Sequence, residues 1–161
     1  MSQKIDKAIT RGLLAGYGGK TKFVSIQRGT FELKSSRFAD DGIEYIDQWL
    51  PEDTGGGQEL VRAGGEKFTR LYAGGLVKPE RLKELGITGK DVIQFLIKQI
   101  SFLGEKTRLF ADCHPDTQDN WKYDYQLVES ENEVGVSVGK ETIKYKNNLV
   151  FVYYLLLGEV R

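Results

Sequence analysis

The sequence predicts an α+β fold: two pseudo-symmetric helix-plus-antiparallel-sheet halves, packed as one domain over residues 1–161. Three observations predict it. Apolar residues recur at helical spacing in two well-separated segments. Most of the remaining chain reads as short strand-like runs divided by tight turns, in keeping with 19 glycines against 3 prolines. A related stretch also occurs twice, as GQELVRAGGEKFTRLYAGGL at 57–76 and GKETIKYKNNLVFVYYLLLG at 139–158.

Each element has its own signal. Ile5, Ala8, Ile9, Leu13 and Leu14 predict an amphipathic helix over 3–15, ended by the glycines of 16–19. KFVSIQ and GTFELKSS follow as strands, separated at Arg28-Gly29. In GIEYIDQWL, residues Ile43, Tyr45, Asp47 and Trp49 share one strand face. PEDTGGG at 51–57 reads as a loop. Gly64-Gly65 then joins QELVRA to EKFTRLYA as a hairpin. Pro79 opens a short helix over 79–85 that stops before Gly86. Thr88 and Asp91 have the spacing of a capping pair, ahead of an apolar stripe through Val92, Leu96, Ile100 and Leu103. KTRLFA, WKYDYQLV, EVGVSV and ETIKY are read as strands, and LVFVYYLLL as a final strand buried on both faces.

The halves, 1–77 and 88–161 with the short helix between them, follow from an internal repeat. GGKTKFV at 18–24 parallels GEKTRLF at 104–110, and Gly57, Glu59, Val61 and Tyr72 parallel Gly139, Glu141, Ile143 and Tyr154. One helix on a short sheet leaves an apolar face uncovered, and a second copy can cover it across a pseudo-twofold axis.

Gly57-Gln-Glu59-Leu-Val61, Phe68 and Tyr72-Ala-Gly74-Gly75 resemble a family of small bacterial domains of unknown function. These occur alone or behind helix-turn-helix regulators. Residues 42–77 carry the resemblance and 121–158 carry it more loosely. The family usually has tryptophan where Phe68 stands, and the second stretch has Leu157-Gly158 where the first has Gly74-Gly75. The resemblance implies no catalytic residues.

The totals narrow the function. Lys plus Arg and Asp plus Glu both number 23, which argues against a basic platform for nucleic acid. A single cysteine excludes an internal disulfide, and the N-terminal residues lack the apolar core of a signal peptide. The longest apolar run, at 149–157, is too short for a membrane-spanning helix. A cytoplasmic location is the expectation.

Sites of chemistry are sparse. LAGYGGKT at 14–21 lacks the first glycine of a phosphate loop and has helix and strand in inverted order. DCHPD at 112–116 gathers Cys113, His114 and two acids, but with no standard metal-ligand spacing. Glu59 and Glu141 hold matching places, where they would bracket one ligand or share a proton. Tyr45, Trp49, Tyr72, Trp121, Tyr123, Tyr125 and Tyr154 are the aromatic candidates for a ligand site. No cofactor or metal is expected. The resulting expectation is a non-catalytic binding or regulatory module that recognises a small molecule or protein partner between the halves. The alternatives are a carboxylate-dependent enzyme using Glu59, Glu141 and the 112–119 loop, or an immunity or counter-defence protein blocking one target.

Overall fold

In the computed structural model, which describes residues 3–17 and 22–161, the first helical pattern becomes α1 (Gln3–Tyr17), with Ile5, Ala8, Ile9 and Leu13 buried. The Gly18-Gly19-Lys20-Thr21 portion of the phosphate-loop candidate lies outside the described residues. Five strands follow: β1 (Val24–Arg28), β2 (Phe31–Asp40), β3 (Ile43–Trp49), β4 (Thr54–Ala63) and β5 (Glu66–Leu76). Each pairs antiparallel with the next. At the β4–β5 turn, Gly64 and Gly65 both have positive φ, 59° and 87°, as a two-residue hairpin of this twist requires. Next come α2 (Pro79–Glu84) and α3 (Gly89–Leu103). The expected capping box at α3 forms: Asp91 N donates to Thr88 Oγ1 and Thr88 N donates to Asp91 Oδ2. The chain ends in β6 (Trp121–Glu131), β7 (Val136–Tyr145) and β8 (Asn148–Glu159).

All eight strands form one sheet, in the order β1-β2-β3-β4-β5-β8-β7-β6. The two runs of hairpins are joined edge to edge where β8 returns antiparallel beside β5. They do not cover each other face to face, as the repeat argument expects. Instead α1 and α3 share one face of the sheet, and the core lies between them and inward residues such as Tyr45, Val61, Phe68, Tyr123, Ile143 and Leu155. Among the described residues no second layer covers the other face, where Leu60, Leu71, Tyr154 and Leu156 are exposed. β8 is therefore central but not buried on both sides: Phe151, Leu155 and Leu157 point inward, while Leu149, Tyr154 and Leu156 are exposed.

The registers of β3–β4–β5 and β6–β7–β8 can be compared directly. Tyr45 faces Val61 and Asp47 faces Glu59; Tyr123 faces Ile143 and Tyr125 faces Glu141. The third strands differ by a bulge. Pairing slips between Ile143↔Phe151 and Lys144↔Leu149, leaving Val150 extra in β8. Beyond it every position is displaced by one, so Gly57 faces Tyr72 but Gly139 faces Leu155. A shift of one residue in a strand changes the face. Tyr154, the expected counterpart of Tyr72, accordingly sits on the outer face, 50% exposed. β1 and β2 have no equivalents in the C-terminal run.

Three further sequence expectations are corrected. The 51–57 loop is shorter, because β4 starts at Thr54 and its three glycines pair with Tyr72, Ala73 and Gly74. Their missing side chains allow the strands to meet: a Cβ on Gly56 would stand 2.4 Å from the Tyr72 carbonyl oxygen. EVGVSV and ETIKY merge into the continuous β7. KTRLFA at 106–111 is not a strand, for a reason that belongs to the site itself. Among the described residues no helix is long and apolar enough to cross a membrane.

Candidate functional site

Inward positions of the central strands carry charge where apolar side chains would be expected. Glu59 on β4 is buried and accepts hydrogen bonds from Tyr45 Oη, at 2.8 Å, and from Arg70 Nε on β5. Glu141 on β7 is buried likewise. It accepts from Arg108 Nε at 2.7 Å, Arg108 Nη2 at 2.6 Å and Tyr123 Oη at 2.6 Å. Buried charge persists only when paired and hydrogen-bonded, and each glutamate has its own arginine. The two carboxylates therefore belong to separate ion pairs. What joins them is Arg70, whose Nη1 donates to the Arg108 carbonyl at 2.7 Å. Burial, followed by the nearby glutamate, pushes the hydroxyls of Tyr45 and Tyr123 well above the usual tyrosine range, so both remain donors.

The irregular course of 106–111 delivers Arg108 to Glu141. Thr107, Arg108 and Leu109 are buried consecutively, a run of three that a regular strand with one open face does not give. Arg108 takes φ 60°, a left-handed conformation uncommon for a residue with a side chain. Side chains replace the sheet ladder here. The Arg108 carbonyl accepts from Arg70, the Leu109 carbonyl accepts from Tyr125 Oη at 2.6 Å, and Thr107 Oγ1 lies 2.5 Å from Tyr123 Oη.

Beside this ionic floor lies a cleft of about 370 Å³. α1 contributes Gly12, Leu13 and Gly16 to one wall, and α3 contributes Ile93 and Leu96 to the other. The sheet supplies the floor through Tyr45, Asp47, Trp49, Tyr72, Phe151 and Tyr153. Leu50, Pro51, Glu52 and Asp53 form a rim, and Phe23 stands edge-on to Trp49 at 5.2 Å between ring centroids. Asp47 is the polar centre of this lining. Tyr72 Oη donates to its Oδ1 at 2.9 Å. Burial first, and then the charge of Glu59, push its carboxyl up to about 7.

The C-terminal strands have no matching space. Tyr125 stands opposite Glu141 as Asp47 stands opposite Glu59, and its ring fills the room above Gly139. A Cβ on Gly139 would lie 2.2 Å from Tyr125 Oη.

Of the nine candidate residues, the cleft brings together Tyr45, Trp49 and Tyr72. Glu59 lies behind Tyr45 as its hydrogen-bond acceptor. Tyr123, Tyr125 and Glu141 are core residues of the other ion pair. Trp121 stacks on Phe95 at 5.0 Å and contacts Tyr145 at 4.6 Å, away from the cleft lining. Tyr154 is on the opposite face of the sheet. The 112–119 loop is also separate. His114 Nδ1 lies 2.7 Å from Asp124 Oδ1, Asp112 Oδ1 accepts from Leu127 N, and Cys113 bridges to the Tyr125 backbone. No three metal-ligating side chains cluster among the described residues.

Sequence reasoning missed Asp47, Arg70 and Arg108 as site residues. A signal for Asp47 was present in Tyr45-x-Asp47-x-Trp49, an acid on the same strand face as two aromatics. Arg70 carried a similar signal between Phe68 and Tyr72. Arg108 carried none, because its partner is 33 residues away. In comparisons with known proteins, no family model, no curated protein and no solved structure matches this chain.

Proposed function

We propose that the chain is a small-molecule-binding module whose ligand occupies the cleft between α1, α3 and the β3–β5–β8 floor. The observation that carries this reading is the cleft itself: mostly apolar and aromatic walls converging on one half-buried carboxylate, Asp47. Its volume falls at the lower end of the range for ligand pockets, roughly 300–1,000 Å³. Most of the lining comes from residues 12–76, with Ile93, Leu96, Phe151 and Tyr153 completing it from the C-terminal part. A fragment screen followed by heteronuclear NMR tests the reading. Hits should perturb Gly12, Trp49 and Tyr72 together, and Trp49→Ala should weaken them about tenfold or more. Hits confined to the outer face around Tyr154 and Leu156 would refute it.

One observation favours a second reading of the same cleft, a carboxylate-dependent enzyme. A carboxyl group titrating near neutrality suits general acid–base work, and Asp47 has that property whereas the glutamates are held by arginines. For any ligand that the protein converts, Asp47→Asn would abolish turnover while leaving ground-state binding measurable.

We also infer that β3–β4–β5 and β6–β7–β8 descend from one duplicated unit, making the two halves pseudo-symmetric. The support is the shared placement of a tyrosine hydroxyl on Glu59 and on Glu141, together with the matching registers of β3–β4 and β6–β7. An experimental structure in which the backbones around the two glutamates fail to superpose would refute it.

A further inference from the structure

We propose that the cleft selects hydrophobic organic cations, with an ammonium group of the ligand paired to the Asp47 carboxylate and its apolar body held between α1 and α3. This deepens the small-molecule reading above and rests on it.

The argument begins with unequal charge on the sheet floor. Glu59 holds Arg70 and Glu141 holds Arg108, which leaves Asp47 as a third acid. Asp47 is also the one acid of the three that lines the cleft. Glu52 and Asp53 add two carboxylates at the rim. Among the described residues the lining contains no lysine, arginine or histidine. A concave site walled by low-dielectric side chains and bearing one sign of charge concentrates counter-ions of the other.

The neighbours of Asp47 fit the same ligand. Tyr45, Trp49, Tyr72 and Tyr153 surround it in the lining, and aromatic faces attract cations. Tyr153 already receives one, since the Arg108 guanidinium carbon lies 6.0 Å from its ring centroid. An anionic ligand would instead meet three carboxylates with no lining cation. A neutral one would gain at most a hydrogen bond from them, without the charge attraction.

Titration supports this geometry. Burial and then Glu59 on β4 raise the Asp47 carboxyl, while the Tyr72 hydroxyl and Arg70 on β5 and Arg108 from the 107–109 segment lower it. Tyr45, also adjacent, stays neutral. With the carboxyl at about 7, the empty cleft at neutral pH holds a proton part of the time. An ammonium group displaces that proton, so its affinity rises as pH rises through this range.

Three probes of one shape test the proposal on the full chain: phenylbutylamine, phenylbutanol and phenylbutyrate, titrated by heteronuclear NMR at Gly12, Gly16 and the Trp49 indole. The amine should bind about tenfold tighter than the alcohol or better, with the butyrate weakest. The amine's advantage should grow with pH through about 7 in the wild-type protein, whatever the variant does. In Asp47→Asn, checked for folding by the same spectra, the amine should lose most of its advantage over the alcohol. Equal binding of amine and alcohol would overturn the cation inference and leave the small-molecule reading standing. So would tightest binding by the butyrate, the result expected if ligands reach the unpartnered Nη2 of Arg70. No change at the cleft with any of the three would overturn both.

Discussion

Arg70 Nη1 donates to the Arg108 main-chain carbonyl at 2.7 Å, and this bond connects the buried ion pair on β4–β5 to the one on β7. It also fixes an otherwise unladdered segment whose left-handed residue must be held by its surroundings. Arg70→Met removes both the partner of Glu59 and the anchor of that segment. The expected loss is about 3–5 kcal/mol in urea unfolding, the scale for leaving a buried charge unpaired. Adding Glu59→Leu should restore much of it, since the remaining charge is then gone. A single variant as stable as wild type would show that the link contributes little.

Close approach of α1 to the sheet is the second testable feature. A Cβ on Gly12 would stand 2.1 Å from Cγ of Tyr45, an atom at the base of a ring fixed by its bond to Glu59. Alanine would gain about 1 kcal/mol of helix propensity over glycine. Forcing helix and sheet apart costs more, typically 1–3 kcal/mol for an overpacked core. Gly12→Ala should therefore lower the melting temperature and disturb the cleft it lines, whereas Gly16→Ala, whose nearest contact would be 3.6 Å, should not. A melting temperature raised by Gly12→Ala would mean that the helix sits farther out.

How much of this was legible in the sequence follows from the range of the interactions. α1, the capping box of α3 and the Gly64-Gly65 turn are set by neighbours within a few residues, and periodicity exposed them. Glu59 and Glu141 were legible as matching acids, but their chemistry was not, because their arginines come from different places: the adjacent strand for one and a distant coil for the other. KTRLFA has the composition of a strand, and what prevents one is a long-range demand, the delivery of Arg108 to Glu141. The constant spacing between the halves misassigned Tyr154 for a related reason. A bulge at Val150 turns the rest of β8 by one residue, and no feature of Leu149-Val150-Phe151 marks it. The cleft exists where Asp47 is smaller than Tyr125, a difference in side-chain volume between positions that look alike only once the strands are paired.

The carboxyl of Asp47 makes stability depend on pH in a direction opposite to that of an ordinary ion-paired acid. Its folded value is about 7 against 3.8 for the free side chain, so between these limits the folded state holds a proton that the unfolded state lacks. Stability from this group is therefore full below about 3.8, declines as pH rises through the window, and levels off above about 7. Each unit of pKa difference corresponds to about 1.4 kcal/mol. The measurement is the unfolding free energy of wild type minus that of Asp47→Asn across the window. It should fall with rising pH, because asparagine removes the titration and leaves the other groups in place. Tyr72→Phe should move the end of the decline to higher pH, since the Tyr72 hydrogen bond favours the carboxylate. A difference that stays flat across the window would mean that Asp47 ionises as a solvated acid does, with water rather than the aromatic walls around it.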